Sequence, residues 1–100
     1  MGYRNHDVKC DVQHFQPIVD GLKKADIRIN DRDYRLFDTV TFHEGQYEDG
    51  DFVRTGRSIK ARICHLSHYG CVGGYLCLSL DQVGLVVESG STPMDLFSKD

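Results

Sequence analysis

Apolar residues in this chain recur mostly at every second position, with one early interval where the spacing changes to three and four. Alternation marks strands buried on one face and the 3.6-residue period marks a helix, so the pattern predicts several strands and one helix. His6 to Cys10 reads as a short first strand carrying Val8 and Cys10, and Asp11 offers a turn or a cap. Phe15, Ile18, Val19 and Leu22 then stand at i, i+3, i+4 and i+7, one face of a helix. Pro17 fits a first turn, which puts the expected start near His14 or Phe15, and Gly21 supplies the exit.

Lys24 to Asn30 alternates again. Ala25, Ile27 and Ile29 are expected in the core, with Lys24, Asp26, Arg28 and Asn30 on the opposite face, either simply solvated or serving a ligand. Asn30 to Asp33 is a turn by composition, since Asn and Asp side chains bond their own backbone. Thr39 to Glu44 is a strand with Val40 and Phe42 inward. Gly45, Asp49-Gly50 and Thr55-Gly56 predict a long polar loop or an irregular hairpin. Arg57 to Leu66 is the longest strand candidate, with Ile59, Ala61 and Ile63 on one face. After the glycines at 70, 73 and 74, Tyr75 to Leu80 forms a strand with Leu76, Leu78 and Leu80 inward. Val83 to Val87 either adds a last strand or covers the core, and from Ser89 the chain reads as a tail. The fold class expected is α+β: one domain over 1–100 with its core at about 6–88, a small, mostly antiparallel β-barrel with one helix near the N-terminus.

Charge narrows the function. The net charge of −3 excludes a general electrostatic grip on duplex nucleic acid, so any such role rests on a local patch. Lys23, Lys24, Arg28, Arg32 and Arg35 form one, and Arg54, Arg57, Lys60 and Arg62 a second. No apolar run reaches the length of a membrane span and the first residues hold no apolar signal core, so a cytoplasmic protein is expected. Cys10, Cys64, Cys71 and Cys77 are then expected as reduced thiols. Cys64, His65, His68 and Cys71 lack the paired spacing of a zinc knuckle, and neither a phosphate loop nor a dinucleotide fingerprint is present. No metal and no cofactor are expected. Tyr34, Tyr47, Tyr69 and Tyr75 are the candidate stacking rings, Tyr34 the best placed beside the polar turn.

Gly21 to Arg28, GLKKADIR, resembles the G-x-K-x-x-E-x-R signature of the ASCH domain family, relatives of the PUA RNA-binding fold. The continuation IRINDRDYRLFDTV resembles more closely an ASCH-related branch of phage and bacterial genomes, catalogued as domain of unknown function 3850. There the run is typically E-I-R-x-N-D-R-x-[FY]-x-x-G-D. Gly21, Lys23, Ile27, Arg28, Asn30, Asp31, Arg32, Tyr34 and Asp38 match it, while Asp26 replaces the glutamate and Phe37 the glycine before Asp38. The order and spacing extend over roughly 6–80. The resemblance implies a β-barrel with a cleft beside the helix, taking RNA or a nucleotide or nucleoside. Lys23, Lys24, Arg28 and Arg32 would meet phosphate or base edges, Asp26 and Asn30 exocyclic groups, and Tyr34 a base face. A second expectation, also from the family, is a nucleoside amidohydrolase acting on an acylated cytidine. Lys23 would be its activated group and Asp26 would stand in for the usual threonine; the later glutamate of that set has no clear counterpart, since Glu88 lies outside the resemblance. A third is a phage accessory protein that binds a host protein in the host cytoplasm. A monomer is expected in each case.

Overall fold

Asp11 decides where the first strand stops. In the computed structural model, which describes residues 2–86, its carboxylate accepts the Gln13 N–H at 2.9 Å and caps helix α1, Val12–Val19. The helix therefore starts earlier than Pro17 suggested, and Pro17 lies in its interior, where one helical bond is lost. It also ends early. Gly21, at φ +76°, donates to the Ile18 carbonyl and Leu22 donates to that of Pro17, a Schellman close. Phe15 and Ile18 are buried as expected, but Leu22 has left the helix and is exposed.

Among the described residues five strands form one sheet: β1 (Asn5–Asp11), β2 (Ala25–Ile29), β3 (Thr39–Glu48), β4 (Asp51–Ser67) and β5 (Tyr75–Leu85). Their order is β1-β3-β4-β5-β2, with β1 parallel to β3 and every other pairing antiparallel. The sheet is mixed and curls into a half-barrel around Val8, Val40, Phe42, Ile59, Ile63, Leu76 and Leu78, with α1 adding Phe15 and Ile18 to that core. The two edge strands, β1 and β2, are joined not by a ladder but by one side chain, since Arg28 Nη2 donates to the Lys9 carbonyl at 2.8 Å.

The expected facing of β2 is reversed. Ile27 and Ile29 are 62% and 51% exposed, while Asp26 and Arg28 turn inward. Register explains it. Asp26 pairs with Leu78 and Arg28 with Leu76, and residues directly opposite in a strand pair share a face. Leu76 and Leu78 are core residues, so the charged set takes the core side.

Of the two expectations after Gly45, a polar loop or an irregular hairpin, the second is what forms: the segment is the bent arm of the β3–β4 hairpin. Its two-residue turn is Asp49-Gly50, both at positive φ. His43 pairs with Ser58 and Gly45 with Arg54, so Thr55, Gly56 and Arg57 all oppose Glu44, and Gly56 adopts φ +100°. A Cβ on Gly45 would stand 2.5 Å from the Val53 carbonyl oxygen and 2.6 Å from the Phe52 ring. Gly45 thus lets the outer half of the hairpin fold over.

Between β2 and β3, Phe37 adopts φ +71°, at the position where the resemblance expects glycine. Next to it Asp38 is buried and accepts from the Arg4 N–H, the Arg35 N–H and His6 Nε2. The Val83 segment continues β5 to Leu85. The expected tail from Ser89, with Val87 and Glu88, lies outside the described residues. Among the described residues no helix is long and apolar enough to cross a membrane.

Candidate functional site

The Schellman close aims the chain so that Lys23 reaches back over the start of β2. Its Nζ donates to the Ala25 carbonyl at 2.6 Å and lies 3.3 Å from Asp26 Oδ1. The other oxygen of Asp26 accepts from Arg28 Nε. One carboxylate is thus held between two cations, and the Arg28 guanidinium is fixed further by the Lys9 carbonyl and lies 5.5 Å from the Phe42 ring centre. With His14 from α1 and Ile27, these three side chains line a cleft of about 360 Å³. Buried Cys10 feels the same charges: burial first and the Asp26 charge second push its thiol up to about 11, against the opposing pull of Arg28 and Lys23. A shift in that direction favours the protonated, less reactive thiol.

A second cleft, of about 450 Å³, opens on the other side of Arg28. Lys9, Arg32, Tyr47, Phe52 and Tyr75 line it, with Asp11 and Asp31 as its acids. Tyr47 and Phe52 meet edge to face at 5.2 Å, and the Lys9 ammonium lies 5.7 Å and 5.4 Å from the two ring centres. Arg28 and Ile27 border both clefts.

The residues singled out in the sequence are divided by this geometry. Lys23, Asp26 and Arg28 converge in the helix-side cleft, whereas Arg32 and Tyr34 border the second. Tyr34 is a core residue with its ring 4.8 Å from that of His6, and burial pushes its phenol up. Lys24 and Asn30 are exposed; their backbone groups bond Leu80 and Gly74, and neither lines a cleft. Lys9, His14 and Phe52 had no sequence signal. Each lies on a different element, and only the curl of the sheet brings them to β2.

Elsewhere, His43 Nδ1 lies 2.8 Å from Ser58 Oγ and its Nε2 2.9 Å from Asp7 Oδ1. The set has the members of a hydrolase triad but not its setting, because Ser58 is 2% exposed in mid-strand rather than presented at a turn. It cross-links β1, β3 and β4. Glu44 is buried under Arg57, which binds both its oxygens at 2.9 Å, and Thr55 donates at 2.5 Å. Those hydrogen bonds from Arg57, against the upward push of burial, hold the Glu44 carboxyl below the usual range. All four cysteines are free thiols, with Cys64 bonded to the Ser79 carbonyl and Cys71 to that of Ser67. Among the described residues no three His, Cys, Asp or Glu side chains converge as a metal site.

Residues 5–80 match the family described as a domain of unknown function, DUF3850. This chain belongs to the DUF3850 family. It is also 40% identical over 58 residues to a protein of Escherichia phage P2 described as an uncharacterized 12.9 kDa protein in the GpA 3′ region. That similarity covers 58% of this chain and 50% of the phage protein, so the chain spans about half the length of that relative. The DUF3850 span includes α1, β1 to β4 and half of β5, and every residue lining the two clefts falls inside it.

Proposed function

We propose that this DUF3850 domain binds RNA, or a single nucleotide, in the cleft between α1 and β2. The observation that carries the reading is the Lys23–Asp26–Arg28 array at that cleft, two cations around one carboxylate with His14 opposite. It leaves a local excess of positive charge in a chain of net charge −3. The guanidinium is held in place from two sides before any ligand arrives, which favours recognition of a phosphate oxygen over a merely diffuse attraction. Lys23 retains one ammonium donor beyond its two contacts, and Asp26 can accept from an exocyclic amine. The resemblance of Gly21 to Arg28 to the ASCH signature supports the same reading, with a PUA-like barrel as its fold.

The hydrolase reading has weaker support. It needs a glutamate beside Lys23, and Glu44 is instead bound at both oxygens by Arg57, while Glu88 lies outside the described residues. Calorimetric titration with short single-stranded RNA at several salt concentrations tests the two together. Lys23→Ala is expected to weaken binding and reduce the salt slope by about one unit, and Lys23→Arg to retain most of the affinity because charge is what matters. An acylated cytidine is expected to survive incubation. Absence of binding to RNA and to all four mononucleotides overturns the proposal; hydrolysis by the wild type that is lost in Lys23→Arg replaces it with the amidohydrolase.

A further inference from the structure

The two clefts meet at Ile27 and the Arg28 guanidinium. Arg28 borders both, with Lys23, Asp26 and His14 on one side and Lys9, Tyr47 and Phe52 on the other. The second side is chemically unlike the first. It offers aromatic area and a flanking cation rather than a clamped carboxylate. Tyr47 is 63% exposed although it is a large ring on a β-strand, and its surroundings account for its position. Gly45 admits the Phe52 ring and the Val53 carbonyl against its backbone, the Asp49-Gly50 turn closes the hairpin, and Lys9 of β1 rests over both rings. An exposed ring with an ammonium beside it is the arrangement that stacks a nucleobase while meeting its neighbouring phosphate. Arg32, also on this cleft, adds a second cation.

We infer that the ligand is single-stranded RNA of at least two nucleotides that crosses β2 at Arg28. The phosphodiester lies on the Arg28 guanidinium, one base enters the helix-side cleft, and the next stacks on Tyr47 with Lys9 beside its phosphate. This rests on the nucleotide-binding reading of the helix-side cleft and extends it to a second subsite. A linked dinucleotide gains over a monophosphate because its second base binds intramolecularly. Tyr47 belongs only to the second subsite, so its removal separates the two halves of the site.

The test uses the full chain and calorimetry with the four ribonucleoside 5′-monophosphates and the four 5′-phosphorylated homodinucleotides. For the best base, the dinucleotide is expected to bind at least about tenfold tighter than the monophosphate. Tyr47→Ala is expected to lose about tenfold on the dinucleotide and nothing on the monophosphate, and Tyr47→Phe to retain wild-type affinity for both, because the ring and not the hydroxyl stacks. Melting curves establish that both variants are folded. If the monophosphate binds but the dinucleotide is no tighter, or if Tyr47→Ala matches the wild type on the dinucleotide, the second subsite is wrong and the helix-side reading stands. If neither class of ligand binds the wild type, both fall.

Discussion

Arg28 makes three contacts from a five-residue edge strand: the Asp26 carboxylate, the Lys9 carbonyl across the opening of the half-barrel, and the Phe42 ring. The chain pattern made it the exposed neighbour of a buried Ile27, and the pairing with β5 makes it the reverse. Arg28→Ala is therefore expected to lower stability by about 1–3 kcal/mol, through the lost link to β1 and a half-buried Asp26 left with Lys23 alone. Ile27→Asp, on the exposed side, is expected to change it by less than about 1 kcal/mol. Urea unfolding followed by circular dichroism ranks the two. A larger loss for Ile27→Asp would place the isoleucines in the core after all and move the candidate site to the opposite face of β2.

Elements were legible in the sequence where burial on one face is complete. β3 around Val40 and Phe42, β4 around Ile59 to Ile63, and β5 around Leu76 to Leu80 lie in the middle of the sheet, and their alternation is what the core requires. β2 is an edge strand, paired on one side only, and there an isoleucine can stand in solvent while an arginine reaches across the opening of the half-barrel. The start of α1 departs from the expectation near His14 or Phe15 because the Asp11 cap sets the first helical residue at Val12, five residues before Pro17, which the helix tolerates in its interior. Of the site, the Lys23, Asp26 and Arg28 cluster is local in sequence, and Tyr47 is one of four candidate rings; their partners Lys9, His14 and Phe52 come from three other elements and are brought to β2 by the fold in a way no spacing announces. The hairpin shows the same limit. Gly45 looked like loop punctuation, yet it sits in a strand because Phe52 and Val53 pack against its backbone. Gly45→Ala is expected to cost about 1–3 kcal/mol, as the new methyl displaces Phe52 and opens the bend. The same variant should weaken dinucleotide binding through Tyr47. An unchanged denaturation midpoint would show that the hairpin does not fold over at this point.

At the scale of the whole molecule, buried carboxylates tie together segments far apart in the chain. Asp38 joins the loop before β3 to Arg4 and His6 at the start of β1. Glu44 holds Arg57 on β4, which lies 4.9 Å from the Phe15 ring centre and donates to Gln16, so β3, β4 and α1 are linked through one ion pair. For Asp38, burial pushes the carboxyl up, but hydrogen bonds from Arg4, His6 and Arg35 outweigh it and bring it below its ordinary 3.8. For Glu44 the Arg57 hydrogen bonds lead, burial opposes them, and the result lies below the ordinary 4.5. A carboxyl whose folded value is depressed takes up protons more readily in the unfolded chain. Its contribution to stability is therefore complete above the unfolded value and is lost as pH falls from there through the folded value. The melting temperature is accordingly expected to be flat with respect to these two groups above about pH 5 and to fall below pH 4.5, with Glu44 entering first because its ordinary value is the higher. Asp38→Asn and Glu44→Gln keep the shape and an acceptor oxygen but cannot titrate, so each should melt lower at pH 7 and show a shallower acid limb than the wild type. Thermal melts from pH 3 to pH 7 decide it. Acid limbs in both variants as steep as that of the wild type would mean that other carboxylates govern the acid transition and that these two ties do not hold the sheet, its first strand and the helix together.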